Sequence, residues 1–360
     1  MGHASSANAA TVTRLPSKNP LRAISARRQR RRALPWMRGA TALAFSMLAL
    51  GAALAAEPPA IAPADGVALL NRIQQAAQRQ NYVGTFVHQQ GTQVQSSRVT
   101  HVVDRAGEHE KLELMDGQAR EFIRNNDDVR CYMPDSKLIL IEKRARYDTF
   151  PALLTSAPVD VDQYYRLSLE GVDRIAGRNA QLVVLEARDK QRYGYRLWFD
   201  KDSYLLLKAQ TINEKGLPIE QVAFTNVTIG GTIDVSRVKP TATSTEGWRT
   251  ETNRMVPVDL AQAGWSVTQP VPGFRKVMEV RRAFGGREDI GQMVYSDGLA
   301  AISIFIEPAS PHDSDEGEAS KGPINVVTER HGEFWLTVVG DAPAASVRDM
   351  ARQIVFKSGK

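Results

Sequence analysis

Residues 101–110, HVVDRAGEHE, gather His101, Asp104, His109 and Glu110 within ten positions, a mixture of side chains that could hold a metal. Imidazole and carboxylate are donors that zinc accepts. Strand alternation argues against it. His101 and His109 fall on separate strands of one hairpin, and such a mixture reads as a solvated turn, so no metal is assigned. The acidic pairs Asp127, Asp128 and Asp160, Asp162 sit at turns or caps, without a cleft partner for general acid–base work. The sequence contains neither a Gly-x-Gly-x-x-Gly phosphate loop nor a Gly-x-Ser-x-Gly elbow. Cys131 is the single cysteine, which excludes an intrachain disulfide and suits a small buried apolar group. No catalytic residue and no cofactor is assigned; the chemistry that remains is binding.

Two features suit binding. Arg120, Arg124 and Arg130, with the segment EKRAR at 142–146, form a basic set for which a solvated face is the simpler reading; the functional one is contact with anionic headgroups or an acidic peptide. In RYGYRLWFD, residues 192–200, Tyr193, Tyr195, Leu197 and Phe199 take every second position with Arg192 and Arg196 between them. That alternation makes one apolar face of a strand, either core or the floor of a hollow.

The elements that must carry these residues follow from the period of the pattern. Residues 63–79 show helical spacing at Leu69, Leu70, Ile73 and Ala77, with Asp65 as the expected N-cap. From Tyr82 the period becomes two, giving ten or eleven strands through Val227, broken by a stretch of short helices after Phe150. A sheet that large curls rather than stays flat. Residues 230–253, rich in Thr, Ser and Gly, read as a linker or edge segment. A second unit from 254 to 360 reads as four or five strands, with Ser-Asp-Gly at 296–298 as a hairpin signal. An exposed acidic loop at 311–322 and a closing helix with Asp341 as its N-cap complete it. The expected fold is α+β and mostly antiparallel: a large curved half-barrel over 57–229, wrapped on helices, and a smaller α+β domain.

Residues 1–56 carry nine Lys or Arg and no acid, then an uncharged apolar run of about 17 residues ending in small side chains. This is the layout of an export signal; the alternative is a membrane anchor at the short end of the spanning range. Met37-Arg38 would also make an ordinary start, which leaves the first 36 residues as a candidate over-extension. Removing nine of the 46 basic residues leaves 37 against 40 acidic ones, a net of −3, so the basic balance belongs to the signal and points to no nucleic acid.

In order along the chain, Asn81-Tyr82, Gln90-Gly91, Arg98, His101, Asp104, MDGQARE at 115–121, YYRLSLEGVDRIAGR from Tyr164, RYGYRLWFD from Arg192, Trp265, PGF at 272–274 and YSDGL at 295–299 resemble the MucB/RseB family of periplasmic sigma-E regulators. The resemblance implies a lipoprotein-carrier-like half-barrel in the first domain. It implies a non-enzymatic periplasmic protein that binds the periplasmic segment of a single-span anti-sigma factor and shields it from proteolysis. Release would follow binding of lipid, lipoprotein or lipopolysaccharide. The alternative is a periplasmic lipoprotein or lipid carrier; homo-oligomerisation is left open. The candidate lining of the half-barrel is Phe86, Leu114, Phe122, Tyr132, Leu140, Tyr195 and Leu197, with Arg120, Arg124 and Arg130 at its mouth.

Overall fold

A computed structural model describes residues 60–143, 150–151, 161–284, 287–310 and 316–357, which belong to one compact unit. The export-signal reading, Arg144 and Arg146 of the basic set, Asp160 and residues 311–315 of the acidic loop lie outside the described residues.

The chain opens with helix α1 (Pro63–Arg79). Proline stands in its first turn and no side chain caps it. Asp65 therefore is not the N-cap; it lies inside the first turn, where its charge complements the helix dipole. Leu70, Ile73 and Ala77 bury the expected face.

Eleven strands follow: β1 (Tyr82–Gln90), β2 (Gln93–Asp104), β3 (Gly107–Leu114), β4 (Arg120–Asn125), β5 (Asp128–Met133) and β6 (Leu138–Lys143), then, after one helical turn α2 (Val161–Tyr164), β7 (Tyr165–Ile175), β8 (Arg178–Ala187), β9 (Gly194–Asp200), β10 (Leu206–Ile212) and β11 (Pro218–Ile229). A twelfth, β12 (Arg249–Asn253), joins them in the order β12-β6-β5-β4-β3-β2-β1-β11-β10-β9-β8-β7. Its pairing with β6 is parallel, whereas the rest are antiparallel. β7 touches β11 although three strands separate them in the sheet, so the sheet is rolled.

The segment read as a linker or edge is thus bound along much of its length. Val238 is buried, Thr241 accepts from the Lys111 ammonium (2.7 Å) and donates its amide to Glu121 (2.9 Å), and β12 closes the β6 edge.

Only Arg254 separates β12 from the next strand, β13 (Met255–Pro257). The second unit continues with β14 (Trp265–Val267), β15 (Arg275–Phe284), β16 (Arg287–Ser296), β17 (Ala301–Pro308), β18 (Gly317–Lys321), β19 (Ile324–His331), β20 (Phe334–Gly340), helix α3 (Ala344–Arg352) and β21 (Ile354–Phe356). Seven strands run β13-β15-β16-β17-β20-β19-β18, and β14 pairs β21 as a ribbon. This exceeds the four or five expected. β18, GEASK, lies in the stretch read as acidic loop; it is exposed on both faces and carries no apolar alternation. Ile302, Ile304, Leu336 and Val338 pack against Val347 and Met350 of α3. Asp341 does not cap α3, which starts after Pro343; its carboxylate accepts from the Ala301 amide (2.5 Å) and ties β20 to β17.

Candidate functional site

Directly paired residues of an antiparallel sheet share a face, so the register sorts the candidate lining. Leu112, Phe122, Cys131 and Leu140 form one row across β3–β6, and Ser97, Leu114 and Arg120 form the next. Phe86 with Phe224, Leu197 with Val183, and Tyr195 with Leu185 stand on the same face. This is the face that α1 covers: Tyr82, four residues before Phe86 on β1 and so on the same face, donates its hydroxyl to the Ala77 carbonyl (3.2 Å).

The covering is uneven. Phe86 and Leu197 are core, and the Phe150 ring closes over Phe86 (5.1 Å) and Phe224 (4.8 Å). These two residues are not open lining. Leu112, Leu114, Phe122, Met133, Leu138 and Leu140 stay half-exposed, an apolar floor under β3–β6. Arg120 stands beside Leu114 at its rim. Tyr132 and Arg130 lie on the opposite face. Tyr132 pairs with Ile139 and packs on Trp248 (6.4 Å), while Arg130 pairs with Ile123 and points to solvent. The floor therefore unites Leu114, Phe122, Leu140 and Arg120. Arg124 is on the same face but engaged by Glu108 (2.6 Å) and Glu110 (3.3 Å).

That engagement belongs to a buried cluster. His101 is fully buried and stacks on Tyr82 at 4.7 Å, with Nδ1 2.7 Å from the Gln80 carbonyl and Nε2 2.8 Å from Glu108. It fixes the end of α1 to β2 and β3, and it is not part of a solvated turn. Among the described residues no group of three or more His, Cys, Asp or Glu could hold a metal. Burial pushes the Glu108 carboxyl up, but hydrogen bonds from His101 and Arg124 and the guanidinium charge overcome it and bring it to about 2. A carboxyl lowered on folding stabilises the fold above its unfolded value, and that stability is lost as pH falls through about 2. Acid titration from pH 5 to pH 2 is expected to destabilise the chain, and Glu108→Gln to flatten that part of the curve, read by denaturant midpoints at each pH.

A second buried site was missed by sequence reasoning. Arg192, read as a polar residue between aromatic positions, has a side chain with 0 % exposure. Its guanidinium donates to Asp189 (3.0 Å), to Asp297 Oδ2 (2.9 Å) and to the Pro272 carbonyl (2.5 Å) and lies 4.3 Å over the Tyr164 ring. Tyr165 donates its hydroxyl to the same Asp297 Oδ2 (3.1 Å). Asp297 Oδ1 accepts from the amides of Leu299 (2.9 Å) and Ala300 (2.8 Å) and so shapes the β16–β17 turn. Asn325 donates to the Tyr193 hydroxyl (3.1 Å), and Ser346 to the Gln191 carbonyl (2.9 Å). Gly273, at φ +86°, lets the Tyr164 ring approach where a Cβ would sit 2.8 Å away. At the far end of the sheets Arg282 pairs with Glu142 (3.1 Å), which also accepts from Asn253 (2.5 Å). The distinctive blocks around Tyr164, Arg192, Pro272 and Asp297 thus converge on the junction of the two sheets. The available signal was an arginine flanked by aromatics in one unit and a turn aspartate in the other.

Beside this junction, burial pushes the Asp341 carboxyl up to about 7, helped by the charges of Asp297 and Glu220 and opposed by the Ala301 amide. A carboxyl raised on folding favours the fold below its unfolded value, and that stability is lost as pH rises through about 7. Asp341→Asn is expected to remove a loss of stability between pH 5 and pH 8, read as the change in unfolding midpoint across that interval.

Residues 65–242 match the sequence family described as the MucB/RseB N-terminal domain, and residues 259–355 match the MucB/RseB C-terminal domain. The chain is 28% identical over 326 residues to the sigma factor AlgU regulatory protein MucB of Pseudomonas aeruginosa, covering 86% of this chain and 96% of that one. It is 27% identical over 316 residues to the sigma-E factor regulatory protein RseB of Escherichia coli, covering 87% and 97%. In the solved complex of Pseudomonas aeruginosa MucA and MucB, the aligned chain superposes with a TM-score of 0.65 at 26% identity, over 82% of this chain and all of that one. The crystal structure of MucB in complex with MucA(peri) gives 0.62 at 26% identity. Matched along both sheets and through the junction between them, the chain belongs to the MucB/RseB family.

Proposed function

We propose that this chain is a periplasmic negative regulator of an envelope-stress sigma factor. It holds the periplasmic segment of a single-span membrane anti-sigma factor and shields it from the proteases that begin its destruction. A lipid, lipoprotein or lipopolysaccharide on the floor under β3–β6 lowers that affinity and releases the segment. The observation that carries the reading is the match to MucB over both sheets, at 26% identity and a TM-score of 0.65 with the MucB of a MucA/MucB complex. The half-exposed leucines and Phe122 supply the acyl-binding surface, since each buried CH₂ contributes about 0.8 kcal/mol. Six to eight such groups give roughly 5–6 kcal/mol, about what moves a two-state equilibrium from one extreme to the other. Among the described residues no helix is long and apolar enough to cross a membrane.

The test is capture from detergent-solubilised envelope by the immobilised mature chain, with bound proteins identified by mass spectrometry. A single-span anti-sigma factor, eluted by added lysophospholipid, is the expected result. Recovery of mature lipoproteins without an anti-sigma factor would instead make the chain a carrier. The intact chain is required, because deleting residues 254–360 would bare Tyr165 and the Arg192 guanidinium.

A further inference from the structure

We propose that Tyr165 is the positioning residue that transmits occupancy of the floor under β3–β6 to the second sheet. This rests on the reading of the chain as a lipid-responsive regulator and names the contact through which the response passes.

The contacts form one continuous chain. Tyr195, in the row of Leu185, stands on the face that α1 covers, and it and Leu112 of the β3–β6 floor pack against one hydrophobic core. Its ring meets the Tyr165 ring at 6.1 Å. Tyr165, 1% exposed, crosses to the second sheet through its hydroxyl bond to Asp297 Oδ2. The carboxylate of Asp297 is divided by role. Oδ2 faces the large sheet through Tyr165 and Arg192, and Oδ1 holds the amides of Leu299 and Ala300 in the β16–β17 turn. A shift of the Tyr195 ring therefore reaches the turn through one ring contact and one carboxylate.

Arg192 cannot play this part, because its guanidinium is also fixed to Asp189 in its own β8–β9 connection. It holds the two sheets together in either state. Tyr165 has a single polar bond across the junction, and its ring packs against Tyr195 on the face that α1 covers. Buried hydrogen bonds to a charged group are strongly directional and are worth more than neutral ones. Packed junctions of this kind switch between discrete arrangements rather than deform smoothly.

The experiment measures the affinity of the intact mature chain for the fluorescently labelled periplasmic segment of the organism's own membrane anti-sigma factor. Anisotropy is read without lipid and with lysophosphatidylglycerol held below its micelle-forming concentration. The native chain should lose at least tenfold in affinity when lipid is added. Tyr165→Phe should bind the segment within about twofold of the native chain without lipid, and the loss on adding lipid should shrink to less than about threefold. Lipid binding itself, read by quenching of an acyl-chain probe, should be unchanged. Asp297→Asn, which keeps the Oδ1 acceptor, should weaken the coupling in the same direction. A Tyr165→Phe chain that still loses tenfold overturns the proposal and leaves the regulator reading intact. A native chain indifferent to lipid overturns both.

Discussion

Replacing Arg192 with methionine should cost the folded chain about 3–5 kcal/mol, the largest stability loss expected of any single change outside the hydrophobic cores. Removing the guanidinium leaves Asp297, with its side chain 2% exposed, facing an apolar site without its cation and strips the Pro272 carbonyl of its donor. It also removes the cation stacked on Tyr164, worth about another kcal/mol. The double variant Arg192→Met, Asp297→Asn should recover part of that loss, because the uncompensated charge disappears with it; residues in direct contact are coupled by about 0.5–3 kcal/mol. Urea unfolding of the four chains of this cycle measures the coupling. Additive losses would mean that the pair contributes nothing as a pair. The same variant should open the junction to solvent, seen as faster amide exchange at Leu299 and Ala300.

Phe122→Glu carries the largest expected effect on function. Phe122 shares a row with Leu112, Cys131 and Leu140 on the half-exposed floor. A carboxylate there would have to be desolvated under an acyl chain, and the contacts of about four buried CH₂ groups would be lost with the ring. That amounts to roughly 3 kcal/mol, or about a hundredfold in lipid affinity. Fold stability should change much less, because the ring is not fully buried. Tyr132→Glu is the matched control: nearby in sequence but on the opposite face, it should damage packing against Ile139 and Trp248 and leave the lipid site intact. Fluorescent fatty-acid titration distinguishes the two.

That contrast also shows what could be read from sequence and what could not. The period-two runs locate the strands of the large sheet, since half-buried strands must alternate, and α1 follows from Leu70, Ile73 and Ala77. Assigning faces needs the register between strands. Phe122 and Tyr132 both look like lining, yet Phe122 pairs with Cys131 and Tyr132 with Ile139, which puts them on opposite sides. β12 and β18 escape detection because RTETN and GEASK have no apolar alternation; their partners make them strands. The burial of His101 and of Arg192 escapes the sequence for a shared reason. Charged and polar side chains default to the surface, and burial becomes tolerable only when distant residues complete their hydrogen bonds. Glu108 lies seven residues from His101, but Asp297 lies 105 residues from Arg192, beyond any local pattern. The shared order of motifs did identify the family, and those motifs mark the junction more than the floor.

The most direct test of the regulator reading is protection. The labelled periplasmic segment of the anti-sigma factor is exposed to the envelope protease that first cleaves it, alone, with the intact mature chain, and with the chain plus lysophosphatidylglycerol. Cleavage should slow at least tenfold when the chain is added and return toward the unprotected rate when lipid is present. Cleavage at the same rate with and without the chain would contradict the account.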